Sequence, residues 1–405
     1  VKADWPIKPL AEVCQIKPPK AEARRRISES DLVSFVPMED LGIDQKLLIP
    51  TRERPLAEVN GSYTYFADGD VLLAKITPCF ENGKLGIAAN LTNGIGFGSS
   101  EYIVFRPDRS VDNEWLYYFL SRESFRSEGT ERMSGAVGHK RVAKEFIEAY
   151  PIPVPPLSEQ QRIVAILDEA FDGIAKARAN AEKNLQNARA LFESHLQAVF
   201  SRRGEGWMEK TLGSIADVKG GKRVPKGYKL LTTPTDYPYL RVSEFTNKGS
   251  IDTSDLRYVN ADVHKQIRNY VISSSDLYIS IAGTIGKTGI IPKELDGANL
   301  TENACRLIFK QGISNRFVYY FTLTSSFVEQ AGLHTRTAAQ PKLALSRLSE
   351  IKLGIPSYQD QERLANAFDT LHEENQRLES LYQRKIAALD ELKKSLLHQA
   401  FSGQL

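Results

Sequence analysis

The stretch Ala282-Gly-Thr-Ile-Gly-Lys-Thr288 is the first place in this chain where residue types suggest a reaction. A glycine turn ending in Gly-Lys-Thr can cradle a phosphate chain, but that loop needs another glycine five residues before the second one. Position 281 is Ile281, and Gly283 comes two residues too late. The matching segment Cys79-Phe-Glu-Asn-Gly-Lys84-Leu lacks the threonine altogether, so nucleotide hydrolysis is not expected. Six histidines (139, 195, 264, 334, 372 and 398) contain no H-x-x-x-H pair, and Cys14, Cys79 and Cys305 have no metal-ligand spacing. No Asn/Asp-Pro-Pro-aromatic loop for methylating an amino group occurs. Asp168, Glu169 and Asp172 sit one helical turn apart and read as a solvated helix face, while His195 and His398 read as packing or solvated residues. The chain reads as non-enzymatic, with no catalytic residue, metal site or cofactor site of its own.

What the chain does contain is a repeat of about two hundred residues. Trp5, Lys8, Leu10, Lys17 and Lys20 return as Trp207, Lys210, Leu212, Lys219 and Lys222. Asn113-Glu-Trp-Leu-Tyr-Tyr-Phe returns as Asn315-Arg-Phe-Val-Tyr-Tyr-Phe, Gln160 and Arg162 as Gln361 and Arg363, and Ala-Val-Phe-Ser201 as Gln-Ala-Phe-Ser402. Four blocks in the same order identify a tandem duplication. Each copy reads as a strand-rich globular part followed by one long helix. Strands are expected at 69–76, 101–106, 276–281 and 305–310, and helices at 113–127 and 315–330.

The long helices are the most strongly patterned elements. After prolines at 151, 153, 155 and 156, Ser158 can cap a helix that runs to Ser201 with one internal glycine, Gly173. Its stripe runs through Ile163, Ile166/Leu167, Ala170, Ile174, Ala177, Ala181, Leu185, Ala188, Leu191/Phe192 and Val199. At that length the helix spans about 65 Å, more than a domain's width, and needs a partner. Residues 357–401 supply one, with Leu364, Leu371, Leu378 and Leu392 on a seven-residue beat. Asn375 lies near that stripe; buried, it could fix register, but it reads first as an exposed polar residue. The fold class expected is α+β: two strand-rich domains (1–156 and 202–356) at the ends of an antiparallel, coiled-coil-like pair of helices (157–201 and 357–405), related by a pseudo-two-fold.

Composition agrees with a soluble protein: 41% hydrophobic, 25% charged and a net charge of +3. The positive excess falls in the second globular part. No apolar run is long enough to cross a membrane, and Val1-Lys-Ala-Asp-Trp5 resembles no signal peptide. Cysteines far apart in sequence suit a reducing compartment, so a cytoplasmic location is expected.

Pro155-Pro-Leu-Ser-Glu-Gln-Gln-Arg-Ile-Val164 opening a long helix after a strand-rich domain resembles the specificity (S) subunit of type I restriction–modification enzymes. Ile355-Pro-Ser-Tyr-Gln-Asp-Gln-Glu-Arg-Leu364 and the terminal Leu-Leu-His-Gln-Ala-Phe-Ser-Gly-Gln-Leu405 are similar to that family's distal region. The second opening departs from the pattern at Tyr358, Gln359 and Asp360, where the first has Leu157, Ser158 and Glu159. The resemblance covers essentially the whole chain. It implies a target-recognition domain in each globular part, each reading one half of a bipartite double-stranded DNA site. The helices would set the gap and dock two modification (methyltransferase) subunits around Gln160, Arg162, Gln361 and Arg363. A restriction (nuclease/translocase) subunit would complete the complex. S-adenosylmethionine, ATP and Mg would belong to those partners.

Candidate DNA contacts come from loops in matching places of the two copies. Lys17, Lys20, Arg24, Arg25 and Arg26 form the densest basic run, against Lys219, Lys222, Arg223 and Lys226. Lys75, Thr77, Asn82 and Lys84 match Ser280, Thr284 and Lys287. The resemblance adds the loop before the last strand of each domain: Ser134, Gly135, His139, Lys140 and Arg141, against Thr335, Arg336, Gln340 and Lys342. Side-chain geometry lets Gln340 read an adenine and Arg336 a guanine. Two other classes compete: a helical scaffold without a DNA role, and a DNA-modifying enzyme with an unrecognised cofactor site.

Overall fold

The structure, a computed structural model, describes residues 4–136, 138–202, 204–333 and 342–405. The chain forms two compact units, Val1–Ala181 with Arg384–Leu405, and Glu182–Gln383. In the first, a five-stranded sheet has the order Cys14–Ile16, Tyr102–Pro107, Val71–Ala74, Leu85–Ala88, Leu47–Leu48. Beside it stands a four-stranded sheet, Arg52–Pro55, Leu32–Val36, Ile95–Gly98, Thr64–Ala67, whose central pair is parallel. The second unit repeats the plan. Ala216–Gly220, Ala304–Phe309, Leu277–Ser280 and Thr288–Gly289 make one sheet. Arg257–Tyr258, Pro238–Leu240, Ala298–Leu300 and Val271–Ile272 make the other, again with a parallel central pair.

Period-two alternation decides what each sheet faces. Val71, Leu73 and Phe105 join Trp115, Phe119, Ile163 and Leu167 in a core shared with the helices. Leu72, Ala74 and Val104 point the other way and meet Val36 and Phe66 of the second sheet. The four expected strands are present: Val71–Ala74 and Leu277–Ser280 are shorter than expected, and Tyr102–Pro107 and Ala304–Phe309 keep their length but shift by one residue. Each expected helix is instead two: Asn113–Leu120 with Glu123–Glu131, and Asn315–Thr322 with Ser325–Ala331. Side chains at the break compete for the backbone. Ser121 Oγ donates to the Tyr118 carbonyl at 2.8 Å, and Thr324 Oγ1 donates to the Phe321 carbonyl at 2.7 Å.

The long helices are Leu157–Arg202, 46 residues, and Tyr358–Phe401, 44 residues. In the first unit Arg178 pairs with Asp390 and Arg162 donates to the Leu405 carbonyl at 2.9 Å. In the second, Arg189 pairs with Glu379 at 3.0 Å and His195 meets Phe368. Numbers rise on one helix as they fall on the other, so the pairing is antiparallel within each unit. The seam on the second helix differs from the leucine beat. Leu378 and Leu392 are 40% and 47% exposed, whereas Phe368 and Asn375 are buried. Asn375 is thus a seam residue, not a solvated one, and its amide donates to Glu379 at 3.0 Å. Leu364 and Leu371 face the core of their own globular part instead.

The fourth repeat block marks an anchor. Phe401 packs on Trp115, with ring centroids 4.3 Å apart, and on Phe119. Phe200 packs in the same way on Phe317, at 5.0 Å, and on Phe321. Each globular core is therefore closed by the end of the long helix belonging to the other copy. Among the described residues no helix is long and apolar enough to cross a membrane, and no acidic, histidine or cysteine cluster could hold a metal.

Candidate nucleic-acid interface

In the first unit, residues far apart in sequence converge on one basic surface. The hairpin around residues 134–141 is tied by Ser134 N–H to the Arg141 carbonyl at 3.0 Å and by the reverse bond at 2.8 Å. It is laced to the loop after Val71–Ala74: Thr77 N–H donates to the Lys140 carbonyl, and Val142 N–H to that of Lys75, both at 3.0 Å. Ser134, Gly135, His139, Lys140 and Arg141 are all exposed. Gly135 has a φ of 127°, a conformation that a β-carbon would strain. Arg141 grips Glu101 with two bonds, 2.7 and 2.9 Å, which hold the Glu101 carboxyl below its ordinary range.

Lys17 joins this cluster. It stands at the end of Cys14–Ile16 with a φ of 60°, an uncommon left-handed conformation, and its N–H bonds the Val104 carbonyl at 2.8 Å. Burial lowers the Lys75 ammonium, and Lys17 and Arg141 add to that against the pull of Glu101. Burial also lowers Lys20, with Lys17 and Arg24 adding to it. Arg24, Lys20, Lys17, Lys75 and Arg141 are thus electrostatic neighbours, like charges gathered at a cost that an anionic ligand would relieve. Lys17, Arg24, Arg25, Asn82, His139 and Lys140 are exposed and, among the described residues, make no side-chain hydrogen bond or ion pair.

The second unit places its basic segment in the corresponding position. Gly221 and Lys222 donate to the carbonyls of Ala304 and Leu300 at 2.9 and 2.8 Å, so the turn hugs the strand ends. Beyond it Lys222 Nζ lies 5.6 Å from the Tyr270 ring, and Arg223 pairs with Glu302. The Lys342 ammonium reaches the Glu302 carbonyl. Burial works to raise the Glu302 carboxyl, but Arg223 leads the interactions that bring it below its ordinary value. Lys219, Lys226 and Thr284 are exposed. Thr335, Arg336 and Gln340 lie outside the described residues.

Several expected contacts are internal instead. Ser280 is fully buried; its hydroxyl donates to the Thr284 carbonyl at 2.6 Å and accepts Lys287 N–H at 2.8 Å, so it shapes the loop from within. Lys84 and Lys287 are half-buried, and their ammonium groups bond the carbonyls of Met38 and Phe245, tying that loop in both copies to the short 3-10 turn that follows a strand of the second sheet. Thr77 bonds Glu81 at 2.9 Å, Lys20 bonds the Gly61 carbonyl, Lys75 bonds that of Ser100 at 3.0 Å, and Arg26 bonds that of Asn93 at 3.3 Å. The Gly283–Lys287 turn leads into the strand Thr288–Gly289, not into a helix N-terminus, which a phosphate loop requires.

Of the four residues expected at a partner surface, the two glutamines are internal. Gln160 is completely buried; its Oε1 accepts Asp112 N–H and its Nε2 donates to the carbonyls of Ser110 and Pro155, each at 2.8 Å. Gln361 repeats this, accepting Ser314 N–H at 2.9 Å and donating to Gly312 and Pro356 at 3.2 and 3.0 Å. Neither amide has a face left for another chain. Arg162 and Arg363 are exposed, paired one turn back with Glu159 and Asp360. Asp168 is not simply solvated: Lys46 reaches it at 2.7 Å, and it accepts the Tyr118 hydroxyl as Asp369 accepts that of Tyr320. Burial leads the causes that raise both tyrosines well above their ordinary value. Sequence reasoning also missed Glu101 and Glu302, since acids do not nominate themselves on a basic surface.

Two copies of one α+β plan, each with a basic loop cluster at matching strand ends, define a duplicated recognition scaffold. The family described as Type I restriction modification DNA specificity domain matches residues 2–183 and again 204–384, and the chain belongs to that family. It is 32% identical over 255 residues to the type I restriction enzyme EcoEI specificity subunit of Escherichia coli, covering 61% of this chain and 38% of that one. The EcoAI subunit gives 30% over 236 residues, 57% of this chain and 36% of the relative, so the match spans little over a third of either relative. The MjaIX specificity subunit of Methanocaldococcus jannaschii is 21% identical over 433 residues, 100% of this chain and 94% of that one. In fold, the chain resembles one from work on complex assembly and conformational transition of the type I R-M system, with a TM-score of 0.80, 18% identity and 100% of both chains covered. The HsdS subunit from Thermoanaerobacter tengcongensis gives 0.64 at 18% identity, over 99% and 97%.

Proposed function

We propose that this chain is a non-catalytic specificity subunit that reads a bipartite double-stranded DNA site, one half per globular unit. The observation that carries the reading is the group of exposed cations Lys17, Arg24, Arg25 and Lys140, which make no ion pair among the described residues and stand beside Lys20 and Lys75, both lowered by burial and by neighbouring charge. A backbone of phosphates answers that arrangement, while the exposed polar loop residues beside it offer donors to base edges. Half-sites about one helical turn apart, roughly 34 Å between centres, suit two recognition domains joined by long helices. The helices would set the gap.

The same helices would dock methyltransferase subunits. Leu191, Leu378 and Leu381 in one unit, and Leu157 and Leu392 in the other, leave 40–68% of their surface exposed. Apolar residues at such exposure on a helix are surface for a partner to cover. Adenine methylation, with S-adenosylmethionine, would then belong to that partner, and ATP- and Mg-dependent restriction to a further subunit, all in the cytoplasm. The test is selection of duplexes from a random pool by the chain assembled with a methyltransferase subunit. Two conserved half-sites at fixed spacing are expected; enrichment of no sequence overturns the reading. Methyl transfer to DNA by the chain alone would favour the enzyme instead.

A further inference from the structure

Both basic clusters are built around a carboxylate. Glu101 directly precedes Tyr102–Pro107; it clamps Arg141 through both oxygens, and its carbonyl accepts Lys75 N–H at 2.9 Å. Glu302 stands two residues before Ala304–Phe309; it holds Arg223 on one oxygen, takes the Thr301 hydroxyl on the other at 3.1 Å, and gives its carbonyl to Lys342. The two acids do not share a repeat position. Nor do their arginines: Arg141 comes from the hairpin before the last strand, Arg223 from the loop after the first long strand. Unequal loops thus each set an arginine on a carboxylate at the same end of corresponding strands, through two bonds in the first unit and through Arg223 Nε alone in the second.

A surface that gripped phosphates by charge alone would gain nothing from an acid at its centre, which cancels one cation and repels the ligand. A carboxylate clamped on a guanidinium does something else. It fixes the plane of the fork and the direction of the remaining N–H donors, which base-edge reading needs and phosphate contact does not. Resting on the DNA reading above, we propose that Glu101 and Glu302 are specificity-determining positioning residues, each holding one arginine away from the phosphates and aimed at a base edge.

Glu101→Gln keeps the shape and removes the charge. In the chain assembled with a methyltransferase subunit, the variant should bind scrambled duplex more tightly. Its plot of log affinity against log salt should steepen by about 0.9, as one more phosphate contact forms. Discrimination between the selected and scrambled duplexes should fall on the order of tenfold. The double variant Glu101→Gln/Arg141→Gln should lose the added slope, because the effect runs through Arg141. Glu302→Gln, alone and with Arg223→Gln, repeats the test in the other unit should the first variant fold poorly. A mere structural brace would weaken binding to every sequence without a steeper salt slope, and that result overturns the inference, as does no change in either unit. Wild-type complex that cannot tell selected from scrambled duplex would instead remove the DNA reading itself.

Discussion

Replacing Gln160 by alanine separates a buried staple from a docking contact. The substitution deletes three hydrogen bonds of 2.8 Å and leaves Asp112 N–H and the carbonyls of Ser110 and Pro155 without their partner. At about 1 kcal/mol per bond, and more for any group that water cannot reach, the first unit should lose about 3–4 kcal/mol. Tryptophans report the units separately: Trp5 and Trp115 stand in the first, and Trp207 in the second, against Phe200 and Phe317. Trp115 Nε1 also bonds the Pro153 carbonyl at 3.0 Å, close to the altered site. In a Trp207→Phe background, urea unfolding followed by fluorescence should show the midpoint of Gln160→Ala falling by about 1–2 M, taking a slope of roughly 2–3 kcal/mol per M. With Trp207 as the only tryptophan, Gln361→Ala should lower the second unit's midpoint comparably. An unmoved midpoint combined with loss of methyltransferase co-purification would refute the staple and restore the docking role.

Three further outcomes are expected. Arg336→Ala should relax base choice at one position of one half-site; uniform weakening across sequences would make it a phosphate contact instead. Inserting four residues into each long helix adds about 6 Å, so the unspecified gap should grow by one to two base pairs, which selection from a random pool reads directly. The helices are not the ruler if the gap stays constant. His372, against Phe192 in the helix seam, is lowered from its ordinary 6.5 chiefly by burial, with Lys248 adding to this and Asp369 and Glu379 opposing it. Below pH 6.5 the unfolded chain therefore binds the proton more readily, so the second unit should lose stability as pH falls from 7 to 5. His372→Gln should flatten that dependence in thermal melts, and an unchanged slope would exclude His372 as its source.

Periodicity and self-similarity made the duplication, the two long helices and the main strands legible, because each depends on local spacing alone. What spacing leaves open is which neighbour a face meets. The leucine beat at 364, 371, 378 and 392 looked like a seam, yet Leu364 and Leu371 cover a globular core and Leu378 and Leu392 stay at the surface. The seam instead admits Asn375, whose buried amide finds Glu379 on its own helix, and His372 beside Phe192. The basic runs were visible, but Lys84 and Lys287 looked no different from Lys17 or Lys140. Only the fold shows the first two spent on carbonyls of the short 3-10 turns beside them.

The duplication separates what both halves must keep from what each may change. Gln160 and Gln361, Tyr118–Asp168 and Tyr320–Asp369, Phe401 on Trp115 and Phe200 on Phe317 recur with the same partners, and all of them fasten a globular part to helix. The loops carry no such identity. Arg141 on Glu101 and Arg223 on Glu302 reach a similar arrangement from different segments, and His139-Lys140 stands where the second copy has Gln340-Pro341. Attachment tolerates little variation, because each lost partner strands a buried backbone or hydroxyl group. An exposed loop side chain can change with almost no effect on folding. A chain built this way can alter the loop surface of one unit while the helices and their attachments stay as they are.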